Sequence, residues 1–435
     1  MKKIIIGLVG LILIIGAFLF FYSEKMVEVK VDEQIAILQA SGFDIEEKTQ
    51  DSDADSRHFV ISLSDTDKFV TYYPKYKEFL IELLQKTEKD HFKDVKFGVD
   101  VTSFVTIVSA DIYPLSFPKG SLSAKEAALF QTYVDEKVFL LKVDYNPITK
   151  GIDGVLKNVD EKNQNTTLKI EGLNFDAVLD DEMAFKYEVQ NFILSDSSSA
   201  KVIDVQGFSS DFRYEGLHNE LINGFGNIEK ILIENEGTTI NMNGFNAVLT
   251  SDAKNGFLDS GAKLTLKSMD IKVDEQDFGF NGLIFDYDID NINLESFHKL
   301  MNFLEKSEAD LEASKMYEII QEIFSYGVVV ELNKLSVDNI RHGKESVKGF
   351  SVEAKMNIPK EPEFSKNLET SPMLALMSLN VTSKVALSDE LYAEIQKTPQ
   401  AEMFIAMEAK NENGYRIYDI EFQDGSLSIN GQSVM

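Results

Sequence analysis

Strand-like apolar stretches recur along this chain, and the same interruption, a glycine, returns in five of them. MNGFNAVL, Met242 to Leu249, has an apolar residue, a polar one, a glycine and then an apolar residue again. The same order appears in IEGLNFDAVL from Ile170, VQGFSSDF from Val205, FNGLIFDY from Phe280 and VKGFSVEA from Val347. Glycine inside a strand costs backbone entropy and packs nothing, so five such cases point to a repeated unit. The glycines are Gly172, Gly207, Gly244, Gly282 and Gly349, spaced 35, 37, 38 and 67, the last nearly two periods. An element ending in Asp or Asn precedes four of them by 13 to 15 residues: NFILSD around Phe192, KILIEN around Ile231, SMDIKVD around Met269 and KLSVDN around Leu335. The unit is therefore strand, polar turn, glycine-bearing strand, and stacked units predict a long antiparallel meander. Glycines at matching places would let such a sheet coil or bulge. Ile152-Asp153-Gly154-Val155 reads as an earlier degenerate copy and Ile429-Asn430-Gly431 as a later one.

Helical spacing replaces this pattern in a few places. Phe297, Leu300, Met301 and Leu304 form one apolar stripe, and Met316, Ile319, Ile320 and Ile323 another, filling the double gap between Gly282 and Gly349 with helix that covers part of the sheet. Nearer the start, Val31 to Gly42 reads as a helix with a glycine stop. FDIEEKTQ, the turn DSDADS and RHFVISLSD then predict a hairpin. Tyr76, Phe79, Leu80, Leu83 and Leu84 predict a further helix, Lys96 to Phe117 strand, AKEAALFQTYVDE a short helix, and VFLLKVDYNP a strand.

Ahead of all this lies IIIGLVGLILIIGAFLFFY, Ile4 to Tyr22, nineteen uncharged residues after Met1-Lys2-Lys3. That length suits a helix crossing a bilayer. A cleaved signal peptide is the competing reading, but the bulky Phe18, Leu19, Phe20, Phe21 and Tyr22 occupy the place where a cleavage site needs small residues. Lys2 and Lys3 orient the N-terminus to the cytoplasm. The expected fold class is α+β, predominantly antiparallel β: a transmembrane helix, then a large meandering, curled sheet of repeated hairpins with a few packing helices. The expected segments are 1–3 cytoplasmic tip, 4–22 transmembrane helix, 23–140 mixed α/β, 141–293 repeated hairpins, 294–326 helical insertion, and 327–435 C-terminal hairpins with a short helix.

Composition narrows the function. The 435 residues carry 43 basic and 72 acidic side chains, a net charge of −29, which repels nucleic acid and anionic lipid headgroups. Cysteine is absent, which removes disulfides, thiolate catalysis and Cys-ligated metals. His58, His91, His218, His298 and His342 show no HxxH or HExxH spacing, and neither GxSxG nor GxxxxGK[ST] occurs. FDYDIDNINLESF places Asp286, Asp288 and Asp290 at alternate positions, but a calcium loop would need glycine and glutamate where Asn291 and Phe297 stand. Acids on the wet face of a strand, with Phe285, Tyr287 and Ile289 turned inward, account for that stretch. No catalytic, cofactor or metal residues are assigned.

The N-terminal lysine pair and span, the early hairpin, the INLESFHKLMNFL helix followed by GVVVELNKLSVDN, and the ending IEFQDGSLSINGQ together resemble the YdgA-like family of uncharacterised bacterial envelope proteins. The resemblance implies a bacterial inner-membrane anchor through residues 4–22 with a periplasmic body, and no known reaction. Two function classes follow. The first is an anchored scaffold that meets a protein partner or a second copy of itself. The alternative is a binder or carrier of lipid or another hydrophobic ligand in a groove of the sheet.

Overall fold

The computed structural model describes residues 31–48, 56–72, 95–103, 107–116, 124–163, 165–179, 182–198, 200–215, 221–304, 313–360, 377–397 and 408–434. The span expected at 4–22 and the helix expected around Tyr76 to Leu84 lie outside them, as do His91 and His218. Among the described residues no helix is long and apolar enough to cross a membrane. The chain divides into two compact units, one ending at Asp196 and one beginning at Ser197.

The first unit is an antiparallel sheet with helices. Helix α1 (Val31–Ala40) leads into the expected hairpin, β1 (Phe43–Lys48) and β2 (Ser56–Leu63). A short helix α2 (Thr66–Tyr72) follows, which the apolar pattern does not announce; Asp65 caps it by accepting from the Lys68 amide at 2.8 Å. The strand-like stretch from Lys96 splits into two paired strands, β3 (Lys96–Ser103) and β4 (Val108–Ser116). Helix α3 (Ala124–Asp135), β5 (Leu141–Asn146), β6 (Gly151–Leu156), β7 (Val159–Asn163), β8 (Thr166–Glu171), β9 (Asn174–Leu179) and β10 (Glu182–Asp196) complete the unit. Strands β1 to β6 pair in sequence; β6 and β7 then pair with β9 and β8, and these with the two halves of β10.

The second unit contains the predicted meander. Strands β11 (Lys201–Glu215), β12 (Leu221–Asn235), β13 (Thr238–Lys254), β14 (Phe257–Val273), β15 (Gln276–Asn293), β16 (Val328–His342) and β17 (Glu345–Ile358) each pair antiparallel with the next. The β13–β14 hairpin turns on Asn255-Gly256, both at positive φ (56° and 82°), the conformation a tight hairpin demands. Helices α4 (Leu294–Leu304) and α5 (Ala313–Ser325) are the expected insertion between β15 and β16. Asn293 caps α4 by accepting from the Ser296 amide at 3.0 Å. Ile319, Ile323 and Phe324 of α5 and Leu300 of α4 pack with Ile289, Val330 and Met356. Beyond β17 come β18 (Asn380–Ser388), helix α6 (Asp389–Ile395), β19 (Lys410–Glu412), β20 (Tyr415–Gln423), β21 (Ser426–Ile429) and β22 (Gln432–Ser433). Leu391, Tyr392 and Ile395 of α6 seat on Leu387, Tyr418 and Ile429.

Candidate functional surface

Across the second unit the repeat glycines fall into a single crossing row. Successive strands place Gly207, Glu229, Gly244, Lys267, Gly282, Asp338 and Gly349 side by side, a position at which the ladder pairs skip and then resume in the same register. An extra-residue bulge is therefore not what the glycines provide; the register shifts lie elsewhere, at Leu258/Ser260, Asp286/Tyr287 and Leu332/Leu335. What distinguishes the row is backbone handedness. Gly207, Gly244 and Gly282 have φ of +61°, +64° and +70°, and Gly172 in the first unit has +61°. Side-chain-bearing residues resist this region. Gly349 lacks it and is glycine for another reason: a Cβ there would lie 1.9 Å from the Val337 carbonyl oxygen. Gly154 is also no copy of the unit, since it sits beside Phe175, whose ring fills the place of its missing side chain, while Gly431 belongs to the turn between β21 and β22.

The first unit shows what the left-handed glycine does. Leu168 and Ile170 precede Gly172, Phe175 and Ala177 follow it, and all four lie in one core with 2 to 4% exposure. Strict alternation would send Ile170 and Leu173, three apart, to opposite faces, yet both belong to that core. The neighbouring strands do the same: Leu156 and Val159, and Phe185 and Phe192, are odd numbers of residues apart and share it. The glycine shifts the inside/outside phase by one while the register stays whole.

Carried to the second unit, this rule gathers the apolar side chains on either side of the glycine row onto one face. Before the row, cross-strand pairing aligns Ile203, Ile233, Ile240, Ile271 and Phe278. Two residues closer to the glycines lie Val205, Ile231, Met242, Met269, Phe280 and Ile340, ending at Val347. After the row come Ile228, Phe245, Leu266, Leu283, Val337 and Phe350. Apart from Leu232 and Gly279, the alternate positions near the row are polar, and several pair with one another: Lys230 to Asp204 at 3.1 Å, Asn243 to Ser268 at 3.1 Å, and Arg341 to Asp277 at 2.8 Å and to Asp270. None of the twelve residues in the first two rows is buried, and Ile233 and Phe278 are 37% and 40% exposed. The same motif is thus covered in the first unit, whereas in the second the two rows before the glycines stay partly exposed and only Leu266 and Val337 of the row after them are buried.

Two polar clusters complete the inventory. In the first unit His58 Nδ1 meets Asp100, whose other oxygen accepts from Tyr113 Oη at 2.9 Å; Lys137 Nζ stands 3.6 Å from Asp100 and 3.5 Å from the Tyr113 ring centre. Burial by itself would raise the Asp100 pKa, but the hydrogen bonds from His58 and Tyr113 and the charges of His58 and Lys137 outweigh it and hold the carboxyl below its ordinary value. Burial and Asp100 push the Tyr113 hydroxyl upward. Each member is satisfied by another, which describes a brace on the sheet rather than a reacting centre. Because the folded pKa is depressed, the carboxylate stabilises the protein above the unfolded value of about 3.9 and loses that contribution as pH falls through the lower folded value. Asp100→Asn is expected to lower the melting midpoint at pH 7, with the gap to wild type closing as pH falls through the lowered folded value. A gap that is constant with pH would remove the charge from the account.

The second cluster is the alternating acids of β15. Asp286 pairs with Lys263 at 2.8 Å, and Asp288 accepts from Asn333 at 2.6 Å. Asp290 has its pKa raised by burial and then by Asp259, Asp288 and Glu331. Among the described residues no group of three His, Asp or Glu side chains could hold a metal ion. Phe285, Tyr287 and Ile289 alternate with these acids, as the strand reading requires.

Fold and surface together define a class: an antiparallel meander, braced by a few helices, with ion pairs on one face and two partly exposed apolar rows on the other. The chain belongs to a family of bacterial proteins of unknown function, DUF945, whose model matches residues 149–435 and so takes in all five repeat glycines. No curated protein and no solved structure matches the chain.

Proposed function

We propose that this protein is a membrane-tethered interaction module of the bacterial envelope, similar to the YdgA-like proteins, and that its working surface is the open apolar face of the second unit. The reading rests on one observation: twelve Ile, Val, Met and Phe side chains stand half-exposed in two adjacent rows across β11 to β17. Soluble surfaces rarely keep a contiguous apolar patch of this extent unless something docks there. Completing the burial of each half-exposed side chain is worth roughly 1 kcal/mol, so a partner that covered even half of them would gain several kcal/mol before its ordering costs. The tether is the uncharged run from Ile4 to Tyr22, with the body on the outer side of the inner membrane. No reaction is assigned.

The absence of cysteine makes the test clean, because each introduced thiol is the single one in the chain. Met269→Cys lies on the apolar face, and Lys272→Cys, three residues along β14, lies on the polar one. Both are expected to react with a charged maleimide that does not cross the inner membrane when the purified full-length protein is treated. In native membranes Lys272→Cys should react as before, and Met269→Cys should slow at least fivefold. Equal rates in the two settings would refute docking on this face, and no reaction at either site in sealed cells would refute the outer placement.

A further inference from the structure

We infer that the occupant of the apolar face is the hydrocarbon chain of a phospholipid without net charge, drawn from the membrane to which the protein is tethered; this rests on the docking reading above. Five features of the surface bear on what occupies it. Strands β12 to β16 are each paired with a neighbour on both sides, so none of them offers a free edge to which an incoming strand could add. Protein interfaces carry about one hydrogen bond per 100–200 Å². Across the rows from Ile203 to Phe278 and Val205 to Ile340 the side chains offer none, since the Asn, Lys and Asp residues of the same strands lie at the alternate positions. At the centre of the patch Met242 faces Met269, and Met269 faces Phe280. Thioethers on unbranched stems adapt to a mobile, shapeless ligand better than to a fixed protein surface.

Size and charge supply the other two. Seven strands span six spacings of about 4.8 Å, roughly 29 Å across the rows. One acyl chain reaches about half of the roughly 30 Å hydrocarbon core of a bilayer, so two chains fit end to end between β11 and β17. The net charge of −29 opposes an anionic headgroup, which leaves a zwitterionic one.

The full-length protein reconstituted in phosphatidylethanolamine vesicles, a fraction of the lipid bearing a photoreactive diazirine on one acyl chain, tests this. Irradiation followed by peptide mass spectrometry is expected to place lipid adducts on β12 to β15. Adduct yield there should fall at least tenfold in Met242→Thr/Met269→Thr and stay unchanged in Lys272→Thr, which puts the same residue on the polar face. Circular dichroism checks the fold; if the double variant is unfolded, Met269→Cys blocked with a charged maleimide before reconstitution replaces it, with the same tenfold loss expected. Adducts confined to residues 4–22, or adducts on β12 to β15 that neither change diminishes, overturn the inference. A photoproduct joining two copies of the chain through this face would assign it to self-association instead. Protection of Met269→Cys in membranes without lipid adducts leaves the docking reading standing and removes the hydrocarbon; absence of both removes the two together.

Discussion

Gly244→Val is expected to lower the melting midpoint of the second unit by about 2 to 12 °C, whereas Gly226→Val, one strand away, leaves it unchanged or raises it. Gly244 holds φ at +64°, and a β-branched side chain forced into that region costs of order 1–3 kcal/mol. The new Cβ would also lie 2.9 Å from the Lys267 Cβ, an atom bonded directly to the backbone of β14 that cannot swing aside. At about 2–4 °C per kcal/mol for a unit of this size, the expected loss follows. Gly226 has an ordinary φ, and its nearest neighbour for an added Cβ is Ala247 Cβ at 3.9 Å. There valine meets open space on a strand that favours it. Gly207→Val should resemble Gly244→Val in direction, because φ is +61°, although the contact it makes is with the flexible end of Glu229. An unchanged midpoint in Gly244→Val would show that the left-handed row is not what the sheet depends on.

The phase shift at these glycines was written in the sequence, and its form was not. The motif sets an apolar residue two before the glycine and another directly after it, three positions apart, which strict alternation cannot place on one face. That spacing already demanded a break. A bulge is the familiar way to supply one, and it predicts an added residue. The actual solution keeps Lys230 opposite Asn243 and Ile228 opposite Phe245 and turns the backbone between them. Glu229, Lys267 and Asp338, which alternate with the glycines in the row, carry no motif of their own and emerge only from the pairing. The helical insertion and the early hairpin were legible because their apolar periodicity is local. The brace formed by His58, Asp100, Tyr113 and Lys137 was not, since its members come from β2, β3, β4 and the turn after α3. Least legible was exposure. Ile170 and Met269 each belong to an element of the repeated hairpin in similar local sequence, yet one is 2% exposed and the other half-open. What covers a strand is decided by elements far along the chain, such as α3 in the first unit and α6 over β18 and β20 in the second.

That difference in cover leads to the second large effect. Leu168→Ala is expected to destabilise the first unit by about 2–5 kcal/mol, while Met269→Ala should cost the second unit about 1 kcal/mol or less. Leu168 is 2% exposed within the large core, so truncation removes transfer free energy and leaves a cavity that its neighbours cannot close. Met269 already touches solvent, so water replaces what alanine removes and no cavity forms. Two compact units need not unfold together, and a single melting curve would blur them. Native-state hydrogen exchange reads each separately: amides of β8 and β10 should open at least 30-fold more readily in Leu168→Ala, and those of β13 to β15 about fivefold or less in Met269→Ala. If Met269→Ala loosened its strands as much as Leu168→Ala, the apolar face of the second unit would be an interior already filled. That face would then offer no open surface on which lipid or any other partner could dock.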